Sequence, residues 1–199
     1  DLTDRGPDGI GVLRLVRGLQ GQAPERVHVL MGNHEAITLG RHLFPDSRFA
    51  RVWQLNGGQL RDQEALTDDD IGWLRTLPVI GLADDLVLMH SDNVQYLSWG
   101  DSVEAINGTV RQLLAGDEYD DHWSVFAALS GRYDFADDDG LVRKPLMLDR
   151  LGGRRIVHGH SIIGSLVGKP SWQTTGPIQY ADGRVVAIDG GRYDGGPLL

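Results

Sequence analysis

Apolar positions recur along this chain in short, separate patterns that predict alternating helices and strands. After Asp8-Gly9, residues Val12, Leu15, Val16 and Leu19 fall at i, i+3, i+4 and i+7. That spacing predicts an amphipathic helix with this face buried and Asp8 as its N-cap. Residues 21–24 make the turn out. Val27-His28-Val29-Leu30-Met31 is an apolar, β-branched run closing at Gly32, which predicts a buried strand with His28 as a structural residue inside it. A helix over 36–42 follows, so Gly32-Asn33-His34-Glu35 is the turn of a strand-loop-helix unit. Residues 43–66 show no clear period. Thr67 heads an acidic run that caps a helix carrying Ile71, Leu74 and Leu77, and Pro78 stops it.

In the second half, Leu86 to Met89 predicts a strand that delivers His90 to its end. Asp101-Ser102 opens a helix with Val103, Ile106, Val110 and Leu113 on one face. Residues 116–144 read as an acidic loop region holding Trp123, Phe126 and Tyr133, and Pro145 to Leu151 as a short helix. Arg155-Ile156-Val157 predicts a strand delivering His158 and His160. Val185 to Ile188 predicts another, ending at Asp189-Gly190-Gly191. There is no internal repeat. The acidic clusters at 68–70, 117–121 and 137–139 read as solvated faces or caps.

With 199 residues, 41% of them hydrophobic, the chain is expected to form one domain over 1–199 with a substantial core. The net charge of -9 and the lack of a Lys/Arg run argue against a nucleic-acid partner, which needs clustered positive charge. A local basic pocket for one phosphate remains compatible with that balance. The absence of cysteine excludes disulfides and thiolate metal sites. No apolar run approaches the ~20 residues of a membrane span. Nothing in the residues fixes a compartment.

Four side chains at the strand ends or on the turns beside them have the chemistry of metal ligands: Asp1, Asn33, His90 and His160. A carboxylate, an amide oxygen and two imidazoles suit a divalent Mn, Fe or Zn ion. A carboxylate can bridge two such ions ~3.5–4 Å apart, and a bridging water then loses a proton more easily and becomes a nucleophile. His34, on the same tight turn as Asn33, is placed to donate a proton to a leaving alkoxide. Asp4 is suited to hold the His34 ring in one tautomer, and Arg5 offers a planar fork for phosphate oxygens. Taken singly, a strand-end histidine such as His90 is more often structural than ligating. The order of the whole set points to phosphoester hydrolysis.

These residues resemble those of the calcineurin-like metallophosphoesterases, and most closely the phosphoprotein phosphatase type. The resemblance rests on Asp-Arg-Gly-Pro-Asp at 4–8, Val-His-Val-Leu-Met-Gly-Asn-His-Glu at 27–35, Asp-Arg-Leu-Gly at 149–152 and Ile-Val-His-Gly-His-Ser at 156–161. Within that type the chain looks most like the bacterial branch called Shewanella-like phosphatases. The resemblance implies an α/β fold, a four-layer α/β/β/α sandwich. It implies two divalent metal ions (Mn, Fe or Zn), with Asp1 similar to the bridging ligand and Asn33, His90 and His160 similar to ligands of the second metal. Asp4 and His34 resemble the acid dyad. Arg5 resembles the phosphate-binding arginine, with Asn33 beside it, and Arg132 in Ser-Gly-Arg-Tyr is a candidate second one.

The family's Asp-x-His block falls upstream of residue 1, so the chain is expected to be an N-terminally truncated copy lacking the first strand and first metal-ligand motif. His90 is followed by Ser91-Asp92, where the family pattern has Gly-Gly, so Asp92 is a candidate to change the pocket's charge or add a ligand. His158 is a candidate contact to metal or phosphate. The implied activity is metal-dependent hydrolysis of a phosphomonoester such as phosphoserine, phosphothreonine or phosphotyrosine, in a phosphopeptide or a small molecule. Two alternatives stand beside it. One is a dinucleoside polyphosphate hydrolase, which would use Trp53, Trp99 or Trp123 to stack a base. The other is a non-catalytic phosphoesterase-fold domain.

Overall fold

The computed structural model describes residues 1–136 and 140–199. It divides the chain into two compact units, 1–78 with 110–129, and 79–109 with 130–199. The first unit is helical. It contains α1 (Gly9–Gln22), α2 (Asn33–Leu43), α3 (Arg48–Leu55), α4 (Leu60–Ala65) and α5 (Asp68–Thr76). Helix α6 (Val103–Ala115) leads into it, and α7 (Tyr119–Leu129) completes it.

Helix α2 is the axis of this unit. Residues 33–40 are buried all round, because α3, α5 and α7 pack against it. A helix so enclosed cannot carry a polar face unless each polar group has a partner. At its N-terminus the Glu35 carboxylate reaches back and accepts from the N–H of the cap residue Gly32 at 3.0 Å. On its flank, Phe44, Phe49, Tyr119, Trp123 and Phe126 form an aromatic cluster of mostly edge-to-face pairs.

Several expectations change here. Residues 27–31 form no strand among the described residues; the Met31 N–H donates instead to the Pro78 carbonyl at 2.8 Å. A run with the right composition becomes a strand only when another strand pairs with it, and among the described residues none does. His28 is therefore not in a strand, and it is exposed. Helix α2 starts at Asn33, so Asn33 and His34 lie in its first turn rather than in a loop. Residues 43–66 contain α3 and α4, and the presumed loop region at 116–144 contains α7 and the start of a further helix. Short helices whose stabilisation comes from packing show little period of their own.

Helix α1 begins after Asp8, whose side chain accepts from the Gly11 N–H, but it buries a different face from the one its period suggests. Leu13 is fully buried, whereas Val12, Leu15 and Leu19 are exposed. The reason is polar. Arg14 Nη2 lies 2.9 Å from Asp70 Oδ2, Arg17 Nη1 lies 3.2 Å from Asp70 Oδ1, and Trp73 Nε1 donates to Gln20 at 2.9 Å. These contacts turn the Arg14, Arg17 and Gln20 flank towards α5. Asp70, read as part of a solvated cap, is buried and completes the Thr67 capping box. Among the other acidic clusters, Asp117 is exposed and pairs with Arg75, and 137–139 lie outside the described residues.

Burial by itself would push the Asp70 carboxyl up; the Arg14 hydrogen bonds and those from Thr67 outweigh it and hold the group below its ordinary 3.8. A depressed carboxylate contributes stability that is present above its unfolded value and is lost as pH falls through the folded one. Asp70→Asn is therefore expected to lose about 1.5–3 kcal/mol at neutral pH, the scale of hydrogen bonds to a charged group. Its deficit should shrink below pH 3.8. Urea unfolding at pH 7 and pH 3 checks this, and a deficit equal at both would refute it.

The second unit is built on a five-stranded mixed sheet in the order β1-β2-β3-β5-β4. The strands are β1 (Ile80–Ala83), β2 (Leu86–Met89), β3 (Arg155–His158), β4 (Ile178–Tyr180) and β5 (Val185–Ala187). The central pairs β2/β3 and β3/β5 are parallel, and the edges β1 and β4 are antiparallel. Val87, Ile156, Val185 and Ala187 are fully buried in its core. Strands β1 and β4, short and flanked by turns, were not visible in the pattern. Helix α8 (Gly140–Leu151) holds Pro145 inside it rather than at its start, and α9 (Ile163–Val167) follows β3. The described residues form an α/β fold. Among them no helix is long and apolar enough to cross a membrane.

Candidate functional site

In the first unit the candidate residues gather at the N-terminal end of α2. Glu35 is fully buried and accepts from the Leu2 N–H at 2.6 Å and the Thr3 N–H at 3.2 Å, which ties the first segment to the helix. Asp1 Oδ1 then accepts from the His34 N–H at 3.2 Å, one of the amides that a helix N-terminus leaves without a backbone partner. His34 Nδ1 is 2.8 Å from Asp4 Oδ2, and both side chains are buried. The other Asp4 oxygen accepts from Trp53 Nε1 at 3.0 Å. Asp4 thus holds the His34 ring through Nδ1 while Trp53 holds Asp4. His34 Nε2 takes no protein partner among the described residues.

Asp4 and Arg5 both sit at positive φ, 66° and 53°, a conformation that costs a non-glycine residue of the order of 1–3 kcal/mol and persists only where its surroundings impose it. Here the Arg5 N–H donates to the Gly57 carbonyl at 2.9 Å, and Arg5 Nε donates to the Asn56 carbonyl at 3.2 Å. Gly57 (φ 87°) lies under the Arg5 side chain, where a Cβ would come within 2.8 Å of Arg5 Cγ. The guanidinium is exposed.

In the second unit the parallel register sets the geometry. Met89 pairs with His158, so the next residues of β2 and β3 leave the sheet side by side, and the Gly159 N–H donates to the His90 carbonyl at 3.0 Å. Ligand sites in such sheets lie at the carboxyl ends of the strands. His90 Nε2 and His160 Nδ1 are 3.1 Å apart. His160 Nε2 donates to the Ser130 carbonyl at 3.2 Å, leaving the Nδ1 lone pair towards His90. A metal-binding histidine commonly gives its other ring N–H to such a carbonyl, so two ring nitrogens this close fit a shared divalent cation. His160 itself is at φ 62°. Arg132 donates from Nη1 to the His160 carbonyl.

His158 is placed differently from the metal or phosphate contact considered above. Its Nδ1 is 2.8 Å from the Gly159 carbonyl and its Nε2 is 2.8 Å from the Tyr180 hydroxyl, so both nitrogens are engaged. Burial holds its pKa low, against the pull of the Asp92 charge. Burial and the neighbouring Asp92 push the Tyr180 hydroxyl well above its ordinary value. Asp92 is fully buried among protein donors.

The sequence model of the calcineurin-like phosphoesterases matches residues 1–164, a span that holds every candidate residue from Asp1 to His160. The chain belongs to the calcineurin-like phosphoesterase family.

The fold of this phosphoesterase is similar to that of a solved cold-active protein tyrosine phosphatase, with a TM-score of 0.69 and 20% identity over 98% of this chain and 58% of that one. It is also similar to a point mutant of a cold-active protein tyrosine phosphatase, with a TM-score of 0.64 and 22% identity over 98% and 60% of the respective chains. The chain therefore spans less than two thirds of the length of either structure. No curated protein sequence matches it. The mixed five-stranded sheet with its helices matches the calcineurin-like fold. Two site residues of this phosphoesterase escaped the sequence reading. Trp53 lies in a segment without a motif and was considered only as a stacking platform, yet it is buried and spent on Asp4. Glu35 stood in the quoted Gly-Asn-His-Glu block, which was signal enough.

Proposed function

We propose that this chain is the core of a metal-dependent phosphomonoester hydrolase acting on a phosphorylated peptide or a small phosphomonoester. The observation that carries the reading is the buried Asp4–His34 pair, 2.8 Å apart, with His34 beside Asn33 in the first turn of α2. The proposed metal ligands are Asp1, Asn33, His90 and His160, side chains that would suit divalent ions of the Mn, Fe or Zn type. Bound ions would supply charge neutralisation of the phosphoryl oxygens and a nucleophile from water at neutral pH.

The protein's own residues do the remaining work in this proposal. Arg5 and Arg132 orient the phosphate, because a guanidinium presents paired N–H donors to two oxygens at once; Asn33 adds an amide. Asp4 fixes the His34 ring through Nδ1, and His34 Nε2 delivers a proton to the departing alkoxide oxygen. Residues 1–199 would then act as one metallophosphoesterase domain. The dinucleoside polyphosphate reading draws no support from Trp53, whose ring is buried. Trp123 is stacked on Tyr119 and covered by Arg48.

The test is hydrolysis of p-nitrophenyl phosphate by the full natural chain with added Mn²⁺, against a chelated control. Turnover that needs the metal supports the reading; no turnover in the presence of bound metal would favour the non-catalytic domain. In the active protein, Arg5→Ala is expected to weaken inhibition by free phosphate about tenfold or more, as for a lost hydrogen bond to a charged group. Arg5→Lys should not restore it, because a lysine cannot match two oxygens at once. Unchanged phosphate inhibition would remove Arg5 from the phosphate site.

A further inference from the structure

One buried carboxylate of the sheet unit has no part in that scheme. Asp92 lies just past β2 and is completely shielded from solvent. Its Oδ2 accepts from the Tyr133 N–H at 3.0 Å, and its backbone carbonyl accepts from the Asp134 N–H at 3.0 Å. Its Oδ1 accepts from the Ser161 hydroxyl. The Tyr180 hydroxyl lies 3.4 Å from Oδ2, and His158 Nδ1 lies 3.9 Å from Oδ1.

The residues at the far ends of these bonds are not ordinary. Tyr133 has φ 68° and His160, next to Ser161, has φ 62°. Both are bulky side chains in the left-handed region, which is held only where neighbouring contacts impose it. The two turns meet twice: directly, where Arg132 donates to the His160 carbonyl, and through Asp92, to which the neighbouring Tyr133 and Ser161 both donate.

We propose that Asp92 is a positioning residue that locks the Arg132-Tyr133 turn and the His160-Ser161 turn into one rigid unit, fixing a phosphate-binding guanidinium against a metal-binding imidazole. The proposal rests on the metallophosphatase reading for the roles of Arg132 and His160. Asp92 is enclosed by protein, and in this role it acts through hydrogen bonds to backbone and hydroxyl groups. A pair of glycines after His90 would supply no such acceptor, so the Ser91-Asp92 sequence marks a different way of holding these turns.

The test uses the full natural chain, its Asp92→Asn variant and its Ser161→Ala variant. Four quantities are measured: Mn²⁺ affinity by titration, amide hydrogen exchange at Tyr133, and KM and kcat for p-nitrophenyl phosphate. Asp92→Asn replaces one acceptor oxygen with a donor. It is expected to speed Tyr133 exchange about tenfold or more, as for a lost hydrogen bond to a charged group. Mn²⁺ binding should weaken about 10–100-fold, as for loss of a partner that orients a ligand, and KM should rise more than kcat falls. Ser161→Ala, which cuts only the His160 side, should weaken Mn²⁺ binding and leave Tyr133 exchange unchanged; it decides the matter if Asp92→Asn fails to fold. Unchanged Mn²⁺ affinity in both variants would overturn the proposal, even with faster exchange, because Asp92 would then hold a loop and nothing more. If the unsubstituted chain neither takes up Mn²⁺ nor hydrolyses the ester, the metallophosphatase reading falls. The Tyr133 exchange then still decides whether Asp92 holds the turn.

Discussion

Replacing His34 with asparagine is expected to lower turnover of the active protein by about 10²-fold or more, the usual contribution of a positioned general acid, while leaving its metal content intact. The geometry explains why the two effects separate. His34 is anchored through Nδ1 to Asp4, and Asp4 through its second oxygen to Trp53, so among the described residues the ring is hydrogen-bonded to protein through Nδ1 alone. Its Nε2 is the group with a proton to give. Asparagine can keep the contact to Asp4 through its amide but cannot carry a proton at the Nε2 position. Asp4→Asn should reproduce part of the loss, because it keeps the shape while weakening the hold on the ring. The measurements are kcat for p-nitrophenyl phosphate and metal content after dialysis. Loss of metal from His34→Asn would make His34 a ligand, and unchanged kcat would end its role as acid.

The second large effect is expected at His160, where a ligand and a strained backbone coincide. Removing the imidazole should weaken Mn²⁺ binding by more than the 10–100-fold that attends loss of a partner merely orienting a ligand. His160→Ala and His160→Gly should be alike in this. They should differ in stability, because φ 62° suits glycine and disfavours any residue with a Cβ. The glycine variant is expected to be the more stable of the two, by roughly 1 kcal/mol. Urea unfolding without metal reads that difference, and calorimetric titration with Mn²⁺ reads the first. Equal stabilities would mean the left-handed turn relaxes once the ring is gone. Retained affinity would remove His160 from the metal site.

What could be read from the sequence was local. Asp8 and Thr67 announce their helices because a cap is a bond between near neighbours, and Leu86 to Met89 announces a strand because a parallel strand is apolar throughout. The association of Asp4 with His34 was legible because both sit in motif blocks that must converge for the chemistry to work. What could not be read depends on partners distant in sequence. The exposed Leu15 and buried Leu13 of α1 are decided by Asp70, and the period of α1 carries no trace of that carboxylate. The run at 27–31 has the composition of a strand and lacks the neighbour. Trp53 reaches Asp4 across 49 residues, and Asp92 reaches Ser161 across 69. Sequence alone left Asp92 as a candidate to change the pocket's charge or add a ligand; its burial among four protein groups is what the positioning role proposed for it rests on.

The parallel pairing of Met89 with His158 also bears on which genetic changes this protein can absorb. Side chains alternate between the faces of a strand, so one residue gained or lost within β3 would carry everything beyond it to the wrong side. His160 would no longer meet His90, although both histidines were still present. Substitutions inside β2 and β3 that stay apolar leave that meeting intact. At this end of the sheet, then, spelling can drift widely while spacing cannot, and a single-codon deletion between Arg155 and His160 would disarm the site more thoroughly than many point mutations together.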